Sequence, residues 1–181
     1  IKSNKKNYGL NYKLIFTSCV DIKKEIKKNK IKVLEVGCGY PQVTNELKKR
    51  GFDSYGIDIS PTVIKKGKKK YPNLKNKLFQ SDIDNKKLFN NIKADIYVLS
   101  DISWYILPRI KNFIKQIKKI KKNTFLIHSL TLYDGGVQEY GKSYFYNLRT
   151  IKKYFDLNYI YSCKVEIKKK RKYAFFVAKI S

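Results

Sequence analysis

The chain has 181 residues, of which 43% are hydrophobic and 14% aromatic. This is enough apolar material for one sizeable core, so we predict a single domain over 1–181, with a helical or lid segment at 1–30 and the core at 31–181. The formal net charge of +27 raises the question of a polyanionic partner. No run approaches the roughly 18 apolar residues of a membrane-spanning helix, and 1–30 lack a signal-peptide pattern, so we expect a cytoplasmic protein.

Short β-branched runs alternate with helical patterns along most of the chain. The predicted strands cover 31–36, 54–57, 77–80, 94–99 and 124–129. Helices are predicted at 13–29, 41–50, 61–70, 85–91 and 110–121, with Ser60 as the N-cap of the third and Pro61 at its first position. Strands that are apolar on both faces belong in a parallel sheet covered by helices.

The end of the chain has a different pattern. A loop is predicted at 133–143 and a helix at 148–155. The strand-like segments 159–165 and 173–179 are too close in sequence for a crossover helix, so they must pair as an antiparallel hairpin. The predicted fold class is α/β: a three-layer sandwich around a mostly parallel, seven-stranded sheet that ends in this hairpin.

A glycine-containing loop, Glu35-Val36-Gly37-Cys38-Gly39-Tyr40-Pro41, follows the first predicted strand. In an open parallel sheet, ligands bind beyond the carboxyl ends of the strands. Gly37 and Gly39 let a ligand approach the backbone closely there. A dinucleotide-binding loop would need a third glycine at Gln42, which counts against NAD or FAD. We expect the Pro41 ring to point toward the ligand.

Acidic residues follow the next two predicted strands. Asp58 ends the second strand, where a carboxylate can accept hydrogen bonds from both hydroxyls of a ribose. Asp82 follows the third. Singly, these residues have ordinary alternatives, a helix cap for Asp58 and a loop carboxylate for Asp82. Together with the glycine loop, they form a much more specific pattern than any one of them.

On these motifs the sequence resembles the class I S-adenosylmethionine-dependent methyltransferases of the small-molecule type. The resemblance covers about Val33 to Ile83 by motif and the rest by strand order. It implies a Rossmann-like fold, with S-adenosyl-L-methionine as the cofactor and S-adenosyl-L-homocysteine as the product.

The resemblance also implies which residues bind each part of the cofactor. They are Glu35, Gly37, Cys38 and Gly39 for the methionine part, Asp58 for the ribose, Asp82 for the adenine amino group, Ile59 and Ile83 for the faces of the adenine ring, and Ser100 with Asp101 beneath the sulfonium.

Methyl transfer is an in-line displacement, so the enzyme must align acceptor, methyl carbon and sulfur, exclude water and sometimes remove a proton. His128, the one histidine of the chain, ends the fifth predicted strand, where it could face the acceptor as a general base. A structural histidine is the alternative. Asp101 and Tyr105 are the competing candidates for the base.

Two segments bear on the acceptor. Residues 99–105 lack the paired prolines of enzymes that methylate adenine amino groups and are more similar to small-molecule methyltransferases. The loop 133–143 combines glycines with polar and aromatic residues, which is typical of a substrate-covering loop or of a surface Ω-loop. The predicted acceptor is an oxygen or nitrogen of a small polar metabolite or a saccharide. The substrate-binding candidates are Trp104, Tyr133, Glu139 and Tyr140.

Two other functions stay open. The net charge motivates an RNA methyltransferase, although only four of the 41 basic residues are arginines, whose planar fork suits phosphate binding. Nucleic acid is therefore not favoured as a partner. Pro41 and the lack of a clear base motivate a catalytically inactive S-adenosylmethionine-binding subunit. Three widely spaced cysteines and one histidine suit neither disulfides nor zinc, so no metal is predicted.

Overall fold

The computed structural model describes residues 9–132, 141, 143–167 and 171–180. Its strands are β1 (Lys32–Val36), β2 (Asp53–Asp58), β3 (Leu78–Gln80), β4 (Ile96–Ser100), β5 (Thr124–Leu132), β6 (Asn158–Ile167) and β7 (Arg171–Ile180). Its α-helices are α1 (Gly9–Ile26), α2 (Gln42–Lys49), α3 (Pro61–Lys70), α4 (Lys86–Ile92), α5 (Ser103–Ile120) and α6 (Leu148–Phe155). Among these helices none has the length and apolarity needed to cross a bilayer.

The seven strands form one sheet in the order β3-β2-β1-β4-β5-β7-β6. The strands from β3 to β5 are parallel, while β7 runs antiparallel to both β5 and β6. The predicted mostly parallel sheet with an antiparallel C-terminal hairpin is therefore confirmed. Strand order reverses at β1, which pairs with β2 on one side and β4 on the other. A ligand site is expected beyond the carboxyl end of β1.

Both faces of the sheet are apolar. Successive side chains of a strand point to opposite faces, and here both sets are hydrophobic. On β1, Leu34 and Val36 belong to the larger core cluster, which includes buried side chains of α4, α5 and α6. Val33 belongs to the second cluster, with buried side chains of α1 and α2. The helices thus form a layer on each side of the sheet, as the three-layer prediction requires.

Helix α5 and strand β5 are longer than the sequence predicted. The helix expected at 110–121 begins at Ser103 and includes Pro108. Trp104 and Leu107 are buried and extend the apolar face of Ile110 toward the amino end of α5. The gain from burying them offsets the hydrogen bond that Pro108 cannot donate. The strand expected at 124–129 continues to Leu132, paired with β7 over its whole length.

Helix α1 packs on the sheet through Ile15, Cys19 and Ile22, all of them buried. Residues 1–8 of the helical or lid segment predicted at 1–30 lie outside the described residues, so the lid stays a prediction.

Asp95 holds together the end of the sheet opposite the glycine loop. Its side chain is 4% exposed and accepts hydrogen bonds from the Lys28 ammonium at 3.1 Å, the Lys32 amide at 2.8 Å and the Lys121 ammonium. Burial alone would raise the pKa of Asp95, but the hydrogen bonds from Lys121, Lys32 and Lys28 outweigh it and hold the pKa below its ordinary value. The carboxylate therefore stabilises the fold in its charged form.

We expect Asp95→Ala to lower the free energy of unfolding by about 2 kcal/mol at pH 7, less than for a fully buried ion pair because both lysines remain partly hydrated. Because the folded pKa is depressed, the contribution is present above the unfolded pKa of about 4 and is lost as the pH falls through the folded value. Urea unfolding between pH 3 and pH 7 measures it. Asp21→Ala, at an exposed ion pair with Lys24, is the control and should change little. An equal loss at both positions would contradict the assignment.

Candidate active site

A cleft lies beyond the carboxyl ends of β1, β2 and β3 and is bounded by the first turns of α5. Six of the predicted site residues line it, namely Gly37, Asp58, Ile59, Asp82, Ile83 and Tyr105. Glu35, Cys38, Gly39 and Ser100 are not among the residues that line it. The cleft thus brings together the two acidic strand ends and part of the glycine loop.

The glycine loop is anchored to the end of β2 by its own amides. The Cys38 amide donates to the Ile57 carbonyl at 2.8 Å, and the Gly39 amide donates to Asp58 Oδ2 at 2.9 Å. The Cys38 side chain is buried with Ile64 and Leu78 beneath α3, and this burial raises the pKa of its thiol. Cys38 can therefore offer a ligand its backbone but not a reactive thiolate.

The two loop glycines both have positive φ, +67° at Gly37 and +49° at Gly39, yet their surroundings differ. A Cβ at Gly37 would lie 2.5 Å from Ile102 Cδ1, so this position is closed by the start of α5. A Cβ at Gly39 would meet no atom within 4 Å among the described residues. The backbone at Gly39 is therefore uncovered and open to a ligand, although Gly39 itself does not line the cleft.

The prediction that the Pro41 ring points toward the ligand was wrong. Pro41 is the N-cap of α2 and is buried. Its Cγ and Cδ atoms lie 3.0 Å from the position a Cβ would take at Gly67 on α3. The ring therefore packs between α2 and α3, and the missing proline N–H falls where a helix leaves its first amides unpaired.

Asp58 is positioned by two backbone donors, one to each oxygen. Oδ1 accepts from the Ser60 amide and Oδ2 from the Gly39 amide, both at 2.9 Å. Each carboxylate oxygen has a second lone pair, so the fixed carboxylate can still accept from two hydroxyls. Beside it, Ile59 is 65% exposed and Tyr105 is 79% exposed. Such large exposed side chains at a cleft mark a surface that a ligand can cover.

Asp82, after the neighbouring strand β3, is held by one backbone donor and one side-chain donor. Its Oδ1 accepts from the Asp84 amide at 3.0 Å and from Arg109 Nη1 at 2.7 Å. Burial alone would raise the pKa of Asp82. The Asp84 amide and the Arg109 guanidinium outweigh this effect, so the pKa lies below its ordinary value. The carboxylate is therefore charged at neutral pH and can accept a hydrogen bond from an amino group.

Glu35 faces α2 rather than the cleft. Its side chain is buried and accepts from both the amide of Thr44, at 2.9 Å, and the Thr44 hydroxyl. Burial raises the pKa of Glu35 to about 7; the two Thr44 hydrogen bonds oppose this shift and the charge of Asp58 adds to it. Glu35 thus changes charge near neutral pH while it supports the start of α2.

Asp101 holds the turn between β4 and α5 in place. It has a positive φ of +54°, which a non-glycine residue adopts only when its surroundings fix it. Its Oδ1 accepts from the Thr131 amide at 2.6 Å and the Thr131 hydroxyl at 2.8 Å, while its own amide donates to the Ser129 carbonyl. Ser100 ends β4 opposite Ser129, and Asp101 follows it beside the last three residues of β5.

The expectation that His128 faces the acceptor has to be corrected. The ring is fully buried, and Nε2 lies 2.5 Å from Ser103 Oγ. Phe155 and Phe176 meet it edge to face, with ring centroids 5.1 and 4.6 Å away. Burial lowers the pKa of His128 to about 3, so the imidazole is neutral and enclosed. It matches the structural alternative rather than a general base.

Trp104 also lies inside the protein, where it supports the chain that follows β5. Its indole N–H donates to the Thr131 carbonyl at 3.0 Å, and its ring packs on Phe145 at 5.1 Å. A Cβ at Gly141 would come within 2.7 Å of the indole. Its predicted contact with substrate is therefore corrected to an internal support. The other substrate candidates, Tyr133, Glu139 and Tyr140, lie outside the described residues.

Sequence reasoning missed the part of the cleft that α5 supplies. Ile102, Ile106 and Arg109 line it together with Tyr105. These residues recur at the spacing of one helix face, which would have revealed them had the helix been predicted to begin before Pro108.

The family model described as "Methyltransferase domain" matches residues 34–127, which is more than half of the chain. The chain belongs to this methyltransferase family. The predicted membership of the S-adenosylmethionine-dependent methyltransferases and the predicted cofactor are thereby confirmed. No curated protein sequence matches the methyltransferase significantly.

Solved structures share the fold at low sequence identity. TehB from Haemophilus influenzae is 19% identical, with a TM-score of 0.66 over 91% of this chain; the methyltransferase spans only 62% of TehB. An S-adenosylmethionine-dependent methyltransferase from Clostridium acetobutylicum ATCC 824 is 16% identical, with a TM-score of 0.69 over 96% of this chain and 94% of that one. Magnesium protoporphyrin IX methyltransferase from Synechocystis PCC 6803, crystallised with SAM, is 14% identical. Its TM-score is 0.65, over 100% of this chain and 85% of that one.

Proposed function

We propose that this methyltransferase transfers a methyl group from S-adenosylmethionine to an oxygen or nitrogen of a small polar metabolite or a carbohydrate intermediate. The observation that carries the proposal is the charge of the cleft. Its charged residues in the described part of the chain are Asp58, Asp82 and Arg109, and Arg109 is already paired with carboxylates. None is a lysine, in a chain with 41 basic residues.

The segment after β5 supports the same choice of acceptor. The predicted loop 133–143 contains Asp134 and Glu139 and a single basic residue, Lys142. A surface that grips an RNA backbone neutralises phosphates with lysine and arginine. Apart from Lys142 in this loop, no lysine is among the groups that we propose for the site. The magnesium protoporphyrin IX methyltransferase shows that the same fold serves an enzyme named for a small acceptor.

The chain's own residues fit the cofactor at several points. Asp58 would accept from the ribose hydroxyls, Asp82 from the adenine amino group, and the exposed Ile59 would cover one face of the ring. Gly39 gives access to the loop backbone, with Glu35 and Gly37 supporting the methionine part. When bound, the cofactor supplies an activated methyl group.

The residues after β4 would orient the acceptor and exclude water. We propose that Tyr105, exposed at the cleft, contacts the ligands, while Asp101 positions the turn from which Ile102 and Tyr105 project. Asp101 is a weaker candidate for the general base than Tyr105, because Asp101 Oδ1 already accepts two hydrogen bonds from Thr131. His128 is given no part in proton transfer.

The acceptor class is tested by methyl transfer from labelled S-adenosylmethionine into separate pools: low-molecular-mass metabolites and sugars, total RNA, and protein. We expect label in the low-molecular-mass pool. Asp58→Asn should lower the rate at subsaturating cofactor by about tenfold, because an amide cannot accept from two hydroxyls as a carboxylate does. Asp21→Asn is the surface control and should not lower it.

Label recovered in RNA, together with steeply salt-dependent RNA binding, would overturn the proposal in favour of an RNA methyltransferase. Cofactor binding without transfer into any pool would instead favour an inactive subunit.

We also propose a cytoplasmic location. Cys19, Cys38 and Cys163 are all free thiols, as expected in a reducing compartment. Recovery of the protein outside the cytoplasmic fraction of its own cells would contradict this.

A further inference from the structure

Arg109 reaches from α5 across the edge of the cleft to the loop that follows β3. Its Nη1 lies 2.7 Å from Asp82 Oδ1 and 3.0 Å from Asp84 Oδ2. All three side chains are partly exposed, at 42% for Arg109, 35% for Asp82 and 55% for Asp84. Ion pairs at this exposure add little to the stability of a fold, so stability alone does not account for the arrangement.

The two hydrogen bonds at Asp82 reach only one of its two carboxylate oxygens. The Arg109 guanidinium and the Asp84 amide both donate to the same oxygen, Oδ1. Two donors on one oxygen fix the rotation of the carboxylate, which determines where the second oxygen, Oδ2, points. In an Asp82 without Arg109, the Asp84 amide alone would leave that rotation less restricted.

The type of residue is also informative. Arginine is rare in this chain, with four among 41 basic residues, yet one of the four lines the cleft. A guanidinium is a planar group with directed N–H donors, whereas an ammonium is a point charge that rotates freely. A guanidinium can therefore hold one carboxylate oxygen in a defined direction better than an ammonium can.

From this geometry we propose that Arg109 is a specificity-determining positioning residue for the purine of the cofactor. By fixing Asp82 Oδ1, it presents Oδ2 to the exocyclic amino group of adenine and so makes binding depend on that group. A 6-oxo purine would place an acceptor oxygen where the site needs a donor. The inference rests on the proposed role of Asp82 as the adenine ligand.

The test compares the dissociation constants of S-adenosylhomocysteine and its 6-oxo analogue, S-inosylhomocysteine, by calorimetry. For the unaltered protein, we expect adenine to be preferred by about 100-fold. Arg109→Gln should weaken S-adenosylhomocysteine about tenfold and the analogue much less, so the preference falls to about tenfold. Arg109→Lys keeps the positive charge but not the planar guanidinium. Its preference for adenine should lie between those of the unaltered protein and of Arg109→Gln. Lys118→Gln removes the same charge from an exposed position of α5 and should change neither constant.

The outcomes are separable. Equal weakening of both ligands in Arg109→Gln would overturn the inference, because a merely structural role lowers both affinities together. Tighter binding of S-adenosylhomocysteine would also overturn it, by showing that Arg109 competes with the cofactor for Asp82. If the unaltered protein binds both ligands equally, the proposed role of Asp82 fails. Binding of neither ligand would contradict the assigned cofactor site itself.

Discussion

Gly39→Val is expected to weaken binding of S-adenosylhomocysteine by more than about 100-fold, which corresponds to about 3 kcal/mol. No described atom lies within 4 Å of the new Cβ, so the side chain would fit the free protein but occupy the space through which a ligand reaches the loop. The φ of +49° adds a conformational cost of about 1–2 kcal/mol to the folded state. Calorimetric titration, with thermal unfolding as a check of the fold, measures both effects.

Gly51 provides a matched control for the backbone strain. It also has a positive φ, +82°, and open space at its Cβ position, but it lies between α2 and the amino end of β2, at the opposite end of the sheet from the cleft. Gly51→Val should therefore lose similar stability without losing affinity. Similar affinity losses at both positions would show that strain, and not obstruction of the cofactor, is responsible. Unchanged affinity in Gly39→Val would refute the assignment of the loop.

Glu35 is expected to make the fold less stable as the pH rises toward neutrality. Its ordinary pKa is 4.5, and burial raises the pKa to about 7 in the folded protein. Between these values the folded state keeps a proton that the unfolded chain releases, so each step up in pH favours unfolding. The loss should total about 3 kcal/mol and be complete a little above pH 7. Urea unfolding at pH 4.5, 6 and 8 measures it.

Glu35→Gln should remove this slope, because the amide keeps an acceptor for Thr44 and cannot ionise. Glu46→Gln, the same change at the surface of α2, is the control. A slope that persists in Glu35→Gln would contradict the assignment. If Glu35 supports the methionine ammonium, binding of S-adenosylhomocysteine at pH 6 should also release a proton in the unaltered protein and not in Glu35→Gln. Calorimetry in buffers of different ionisation enthalpy detects that release.

The strands and helices were predictable because short β-branched runs and apolar residues at helical spacing are local patterns of the sequence. The helix α3, for example, begins where Ser60 and Pro61 predict, with the Ser60 side chain accepting from the Val63 amide. The start of α5 was not predictable in the same way. Pro108 disfavours a helix locally, and only the burial of Trp104 and Leu107 in the folded protein compensates for it.

The acidic residues of the site were predictable because their positions at strand ends follow from the sheet. The orientation of His128 was not. Seven consecutive residues of β5, Thr124 to Leu130, are buried, so hydrophobicity gives no alternation from which to tell the two faces apart. In the fold, Leu126 and Leu130 face the cluster formed with α5 and α6, and His128 points the same way. Arg109 was missed for a related reason, since its helix was predicted to start one residue later.

The contact between Pro41 and Gly67 bears on the thermodynamics of ligand capture. Pro41 has a restricted φ and is wedged against a residue without a side chain, so the end of the glycine loop acquires its shape during folding. A cofactor then meets a backbone that is already ordered, and binding loses little conformational entropy there. A side chain at Gly67 would displace the Pro41 ring by a few tenths of an ångström. The docking of α3 is therefore a remote determinant of the backbone at Gly39, two residues from that ring.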